Sequence, residues 1–181
     1  MSRADDLQNL KTPDLPDPCL IRSERECDFA AIGDVITRAF AVAEHASGTE
    51  AAIVERLRQN GKLAVSLVAE IEGRIVGHAA ASPVTISDGA LGWFGIGPVA
   101  VDPALQRRGI GGRLVREILA NLVALEASGC VVLGEPAFYG RFGFRASGQL
   151  IYPGMPGEYF QEIAWKTPIP SGIVGYDVAF E

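Results

Sequence analysis

The chain has 181 residues, 48% of them hydrophobic, and its 16 basic and 22 acidic residues give a net charge of −6. That length matches one domain of about 100–200 residues, and the composition excludes coiled coil, collagen and wholesale disorder. The acidic balance disfavours a polynucleotide-binding surface, which needs clustered Lys and Arg for its phosphate contacts.

Residues 1–18 carry Pro13, Pro16 and Pro18 among aspartates and are expected to form a flexible arm; residues 19–181 are expected to be one domain. The arm lacks the apolar stretch of a signal peptide, and no run approaches the ~18 apolar residues of a membrane span. Cys19, Cys27 and Cys130 are odd in number and widely spaced, which predicts reduced thiols in the cytoplasm. His45 and His78 stand far from any cysteine, so no metal site is expected.

A short strand is predicted over Cys19–Arg22. Phe29, Ile32, Val35, Ile36 and Phe40 recur at helical spacing and predict a helix over Glu26–Ala41, with Gly33 a weak point. A second helix follows Ser47–Gly48, with Thr49 its expected cap and Asn60–Gly61 its stop. Leu63–Ile71 and Arg74–Ala81 read as a hairpin about the Glu72–Gly73 turn. Trp93–Val101 is a strand broken by Gly95, Gly97 and Pro98, which signals a bulge or a close backbone approach. Gly112–Ser128 is the clearest helix, stopped by Gly129, and Cys130–Leu133 is a short buried strand. Pro136–Gly140 predicts a short helix with Pro in its first turn. Phe144–Glu181 is strand-like and turn-rich. Within it, residues 167–181 alternate like a strand through Ile173, Val174, Tyr176, Val178 and Phe180, either completing the chain's own sheet or pairing with a second copy as a homodimer. The pattern is α/β or α+β with a mixed sheet.

One segment carries chemistry. The strand ending at Val101 leads through Asp102–Pro103 into Gln106–Arg107–Arg108–Gly109–Ile110–Gly111–Gly112, where a helix begins. A helix start offers unpaired N–H groups and partial positive charge, and glycines admit a phosphate to the main chain. Arg107, Arg108, Arg113 and Arg116 make the stretch +4 within a protein of −6, so the remainder is −10. A local basic patch on an acidic protein points to a small anionic ligand. Neither the P-loop G-x-x-x-x-G-K-[ST] nor the dinucleotide fingerprint G-x-G-x-x-G is present.

The segment Gln106–Gly111 resembles the acetyl-CoA signature Q/R-x-x-G-x-G/A of the GCN5-related N-acetyltransferase (GNAT) superfamily. About thirty residues on, Phe138–Tyr139–Gly140–Arg141–Phe142–Gly143–Phe144 resembles a second family element, F-Y-x-x-x-G-F, in a form similar to a bacterial branch. The resemblance covers about residues 19–166 and implies a mixed, mostly antiparallel sheet flanked by helices. It also implies a splayed strand pair that receives the pantetheine arm. Val99, Ala100 and Val101 are then expected along the arm, with Gln106, Arg107, Arg108, Gly109, Ile110, Gly111 and Gly112 at the pyrophosphate. Arg107, Arg108 or Arg113 is expected at the 3′-phosphate, and a backbone N–H near Ala100 at the thioester carbonyl.

The implied reaction is acetyl transfer from acetyl-CoA to a primary amine by direct attack, without a metal. Tyr139 occupies the family's position for the general acid. Candidates for a general base are Glu135, at a strand end beside the splay, and Glu44, His45 and Glu50 on the early helices; each competes with a reading as surface charge. His78 reads as a packed histidine. The acidic balance suggests a small-molecule amine or basic peptide as acceptor, with no nucleic acid and no membrane as partner. The alternative is a CoA-binding sensor or interaction module of the same fold without efficient turnover, and Tyr139 favours the enzyme.

Overall fold

A computed structural model of the protein describes residues 19–43 and 47–181; the expected arm over residues 1–18, with Glu44 and His45, lies outside them. The elements in chain order are β1 (Leu20–Ser23), α1 (Phe29–Phe40), α2 (Glu50–Gln59), β2 (Val65–Ile71), β3 (Arg74–Pro83), β4 (Thr85–Ile86) and β5 (Trp93–Val101). Then come α3 (Ile110–Ala124), β6 (Gly129–Leu133), α4 (Pro136–Tyr139), β7 (Leu150–Ile151), β8 (Phe160–Ala164) and β9 (Gly172–Gly175).

Six strands form one sheet in the order β1-β2-β3-β5-β6-β8. Its neighbours are antiparallel except β5 and β6, which run parallel. The sheet is mixed and mostly antiparallel, as expected. The parallel pair needs a crossover, and α3 supplies it. A second, three-stranded sheet has the order β4-β9-β7.

The helices take opposite faces because their apolar stripes demand it. On α3, Ile110, Leu114, Val115, Ile118 and Leu122 are buried against one face of the large sheet, each burial stabilising by roughly 1.5–3 kcal/mol. On the other face, Ile32, Ile36 and Ala39 of α1 and Val54 of α2 close over Val68 and Ala100. The small sheet covers the rest of that face through Val84, Ile86, Leu150 and Val174, packed with Trp93, Val131 and Phe160. The cysteines are unpaired, with Cys130 in the core.

Buried charge fastens α1 and α2 to the sheet. The Asp28 carboxylate accepts from the Arg22 guanidinium at 2.6 and 3.0 Å and from the Arg25 N–H at 2.7 Å. Arg22 also reaches Glu70. The Arg22 guanidinium holds the Asp28 carboxyl below the usual carboxylate range. Behind α2, Arg58 makes two bonds of 2.9 Å to Glu24 and lies over the Phe29 ring. Glu24 accepts the Ser66 hydroxyl at 2.5 Å, and Ser66 Oγ lies 2.9 Å from His78 Nε2. Because Ser66 gives its only proton to a carboxylate, it must accept from His78, which fixes the Nε2–H tautomer. His78 is fully buried, as its sequence context suggested.

Several boundaries differ from expectation. Helix α3 begins two residues before Gly112, because Gly109 takes φ +84 and serves as its cap. The helix ends at Ala124, with Glu126 at φ +57, so Gly129 is not its stop. Gly129 is the first residue of β6, where a Cβ would stand 2.5 Å from both the Ile163 carbonyl and the Trp93 ring. Thr49 does not cap α2 with its side chain. The expected C-terminal strand shrinks to β9, which pairs with β4 and β7 of the same chain. Asp177 then accepts the Ala179 N–H at 2.9 Å and turns the chain, and Ala179 and Phe180 pack on Ile53 and Leu57.

Two glycines should respond to alanine with opposite signs. Gly129→Ala should destabilise by about 1–3 kcal/mol through overpacking, whereas Gly33→Ala, where nothing lies within 4 Å, should stabilise α1 by about 0.5–1 kcal/mol. Urea unfolding midpoints read both. Burial, against the favourable field of Glu24, lowers the His78 pKa from 6.5 to about 4. The unfolded chain therefore binds a proton there that the fold does not. Stability from this group is complete above pH 6.5 and falls as pH drops toward 4, by up to about 1.4 kcal/mol per unit. Urea titrations across that range should show the slope, and His78→Gln should remove it.

Candidate functional site

The site begins where two strands part. β5 and β6 pair from Trp93↔Gly129 to Ile96↔Val132, and no further. β6 stays fastened to β8 along its whole length, and Gly134 continues that attachment by donating to the Tyr159 carbonyl. β5 stays with β3, but its register slips: Ile96 faces Ala81 and Val99 faces Ala79, so Gly97 and Pro98 together oppose Ala80. Such a bulge bends its strand. Each strand keeps its outer partner, and a gap opens between them.

The backbone of β5 beyond the bulge pairs with no strand on the gap side among the described residues. Asp102 N–H donates to the Val76 carbonyl of β3 at 2.8 Å. Backbone groups alternate sides along a strand, so those of Ala100 also face β3. Those of Val99 and Val101 face the gap. Ala100 therefore contributes no backbone group to the open edge.

The open edge runs into the helix start. Asp102 opens the 3-10 turn Pro103–Leu105, with one carboxylate oxygen accepting the Ala104 N–H and the other 3.1 Å from Arg38. Gln106 folds back to donate to the Val101 carbonyl at 3.2 Å. Arg107 at φ +63 and Gly109 at φ +84 curl the main chain, and no side chain caps α3. The N–H groups of residues 107–112 have no hydrogen-bond partner among the described residues. Together they form a concave row of donors at the positive end of a helix. Arg107 and Arg108 are exposed on the loop. Arg113 is occupied elsewhere, donating to the Cys19 carbonyl at 2.8 Å, while Arg116 lies over the Phe142 ring.

Helix α4 closes the far side. A Cβ on Gly111 would lie 3.7 Å from Phe138, and one on Gly112 3.5 Å from Phe142. The two sequence motifs are thus in contact. Glu135 caps α4 by accepting the Ala137 N–H at 3.4 Å, with Pro136 in the first turn. Tyr139 is buried, its ring lying against Gly134 and edge-on to Phe138 and Phe144 at 4.9 and 5.7 Å. Burial pushes its hydroxyl up to about 12. That hydroxyl has no protein partner among the described residues.

The candidate bases fare unequally. Glu135 is exposed and serves as a helix cap. Glu50 is buried and accepts from the Ser47 N–H at 2.6 Å and the Ser47 hydroxyl at 3.0 Å. Burial pushes the Glu50 carboxyl up, but the surrounding N–H groups outweigh it and hold the pKa below the usual value. It is a clamp on the α2 entry rather than a free base. Sequence reasoning missed Tyr176 as a neighbour of the gap; a glycine at position 95, inside a strand, was its only signal. Among the described residues, no group of three His, Cys, Asp or Glu side chains could hold a metal ion, and no helix is long and apolar enough to cross a membrane.

Comparison with known proteins agrees with this geometry. The sequence profile of the acetyltransferase (GNAT) domain matches residues 62–146. The uncharacterized N-acetyltransferase YhbS of Escherichia coli K12 is 39% identical over 126 residues, 69% of this chain and 72% of its own. YjhQ of the same strain, also named an uncharacterized N-acetyltransferase, is 34% identical over 130 residues, 70% of each chain. The crystal structure of a GNAT family acetyltransferase from Brucella melitensis in complex with acetyl-CoA superposes with a TM-score of 0.81 at 43% identity, covering 91% of this chain and 99% of that one. That of Escherichia coli YhbS in complex with CoA gives 0.81 at 34% identity, covering 92% and 96%. Similarity of this extent, over the elements that build the parted strands and the helix start, shows that the chain belongs to the GNAT family of N-acetyltransferases.

Proposed function

We propose that the protein transfers an acetyl group from acetyl-CoA to a primary amine by direct attack. The observation that carries this reading is the free edge of β5 running into the unpartnered N–H groups at the start of α3. An amide-bearing arm needs strand-like partners, and the backbone of Val99 and Val101 offers them. A pyrophosphate needs converging donors, and the main chain of Arg107, Arg108, Gly109, Ile110, Gly111 and Gly112 offers those. Gln106 holds the strand end beside the loop, and Arg107 and Arg108 add positive charge where the ligand is negative.

Tyr139 is the group we assign to the departing sulfur. With a pKa of about 12 it is a weaker acid than a thiol of about 8.5, so full proton transfer to the thiolate runs uphill. Its role is to donate a hydrogen bond to developing negative charge. Tyr139, at the position the family uses for its acid, favours an enzyme over a binding module. The amine loses its proton to water or to Glu135, whose second carboxylate oxygen has no partner among the described residues. The acceptor we favour is a cationic small molecule or a basic peptide, in keeping with the net charge of −6.

Two substitutions separate binding from chemistry. Gly111→Glu puts an acid in the first turn of α3, where it favours the helix and opposes an anionic ligand. Calorimetry should show acetyl-CoA affinity lowered by at least about tenfold, with the melting temperature unchanged or raised. Tyr139→Phe should leave that affinity intact and slow CoA release by about 10–100-fold, the worth of one hydrogen bond to a charged group. A lysine-rich peptide and simple alkyl amines serve as acceptors for that assay.

A further inference from the structure

The gap between β5 and β6 closes at a vertex, and the groups standing there decide how much acyl chain the cleft accepts. The last pairs are Gly95↔Val131 and Ile96↔Val132. On the α3 face the vertex is shut by Ile96 and Val132, both buried in the core. On the other face Gly95 has no side chain, and the Tyr176 ring occupies the space. A Cβ on Gly95 would collide with Tyr176 Cε1 and stand 3.0 Å from both Tyr176 Cζ and Val84 Cγ1. Cζ bears the hydroxyl, so the tip of the phenol lies at the vertex.

Tyr176 is braced there. It follows β9 directly, and its ring packs on Tyr152 and Phe180 at centroid distances of 5.1 and 4.8 Å. Its hydroxyl has no hydrogen-bond partner among the described residues. Burial raises that hydroxyl above the ordinary tyrosine range, and negative charge on Tyr152, Cys130 or Tyr139 would raise it further.

We propose that Tyr176 ends the acyl pocket and confines the donor to short acyl groups. The inference rests on the reading that an acyl-CoA lies in the gap. A thioester arm that follows Val99 and Val101 toward Ile96 brings its acyl carbon to the vertex. Ile96 and Val132 block one face, so the chain turns toward Gly95 and meets the phenol. A methyl group stops short of the ring. Each further methylene must displace an aromatic side chain held by two others.

The test is calorimetric titration of CoA, acetyl-CoA and hexanoyl-CoA into the full chain and its variants. Wild type should bind CoA and acetyl-CoA alike and hexanoyl-CoA at least about tenfold more weakly, the scale of added methylenes at a closed pocket wall. Tyr176→Phe keeps the ring and should keep that gap. Tyr176→Ala should narrow it to within about threefold while CoA affinity stays put. Thermal melting checks the fold of each, and Tyr176→Leu carries the same expectation if the alanine variant does not fold. Equal binding of acetyl- and hexanoyl-CoA by wild type would overturn the inference, as would a gap that persists in folded Tyr176→Ala or Tyr176→Leu. Failure of the wild type to bind CoA at all would instead remove the acyl-CoA reading beneath it.

Discussion

A strand edge buried inside a sheet must find hydrogen-bond partners, and beyond Ile96 and Val132 the two central strands have none from each other. The rest of the structure depends on this constraint. The bulge at Gly97–Pro98 bends β5 while leaving it on β3, and β6 remains on β8. Neither strand can close the gap without giving up a longer ladder. An edge left open on the outside of a protein invites aggregation. Here it lies between strands, with α3 on one face and α1 and α2 on the other, so it is accessible to a narrow extended chain rather than to another sheet.

Placing α3 directly after β5 turns that edge into a site for a ligand with two kinds of polar group. Strand backbone suits amides, and a helix N-terminus suits phosphate. The parallel β5–β6 pair makes this possible, because only a parallel pair needs a crossover helix that starts at the end of one strand and returns to the beginning of the other. The −6 charge of the chain does not oppose an anionic ligand, since four arginines and no acid stand between Gln106 and Arg116. Their placement is uneven. Arg113 holds the Cys19 carbonyl and Arg116 covers Phe142, which leaves Arg107 and Arg108 as the cations free to meet the ligand. Sequence alone could not divide them, because the division depends on Cys19, just before β1 and 94 positions from Arg113.

Local rules carried most of the fold. The Glu72–Gly73 turn has φ +50 and +76, as a two-residue hairpin requires, and the apolar stripe of α3 lies where its spacing put it. The errors share a cause. Gly129 looks like a helix stop, yet it is small because Trp93 and Ile163 press on it. The C-terminal alternation looks like one long strand, yet Asp177 breaks it so that Phe180 can reach α2. In each case a partner distant in sequence chose the residue. The same limit hid Tyr176, whose place beside Gly95 joins a strand of the large sheet to the residue that follows β9. Of the site itself, the loop and Tyr139 were readable because each carries a motif, whereas the distinction between Ala100 and its neighbours required the β3 register.

The extent of the family profile is itself informative. It spans residues 62–146, from just before β2 to just after α4. That span holds the bulge, the open edge, the helix start and both motifs. It omits α1, α2, β8, β9 and the turn that carries Phe180. Of these, α1, α2 and β9 lie over the sheet face opposite α3. Acids on the omitted elements resist assignment as bases for a structural reason. Glu50 is spent on Ser47, and Glu24 on Arg58 and Ser66, so the buried carboxylates of this face hold its framework together. A base that faced the cleft would have to be spared such bonds. Among the acids considered, Glu135 comes nearest to that condition, and it does so from the donor side, at the end of the strand that leaves the gap open.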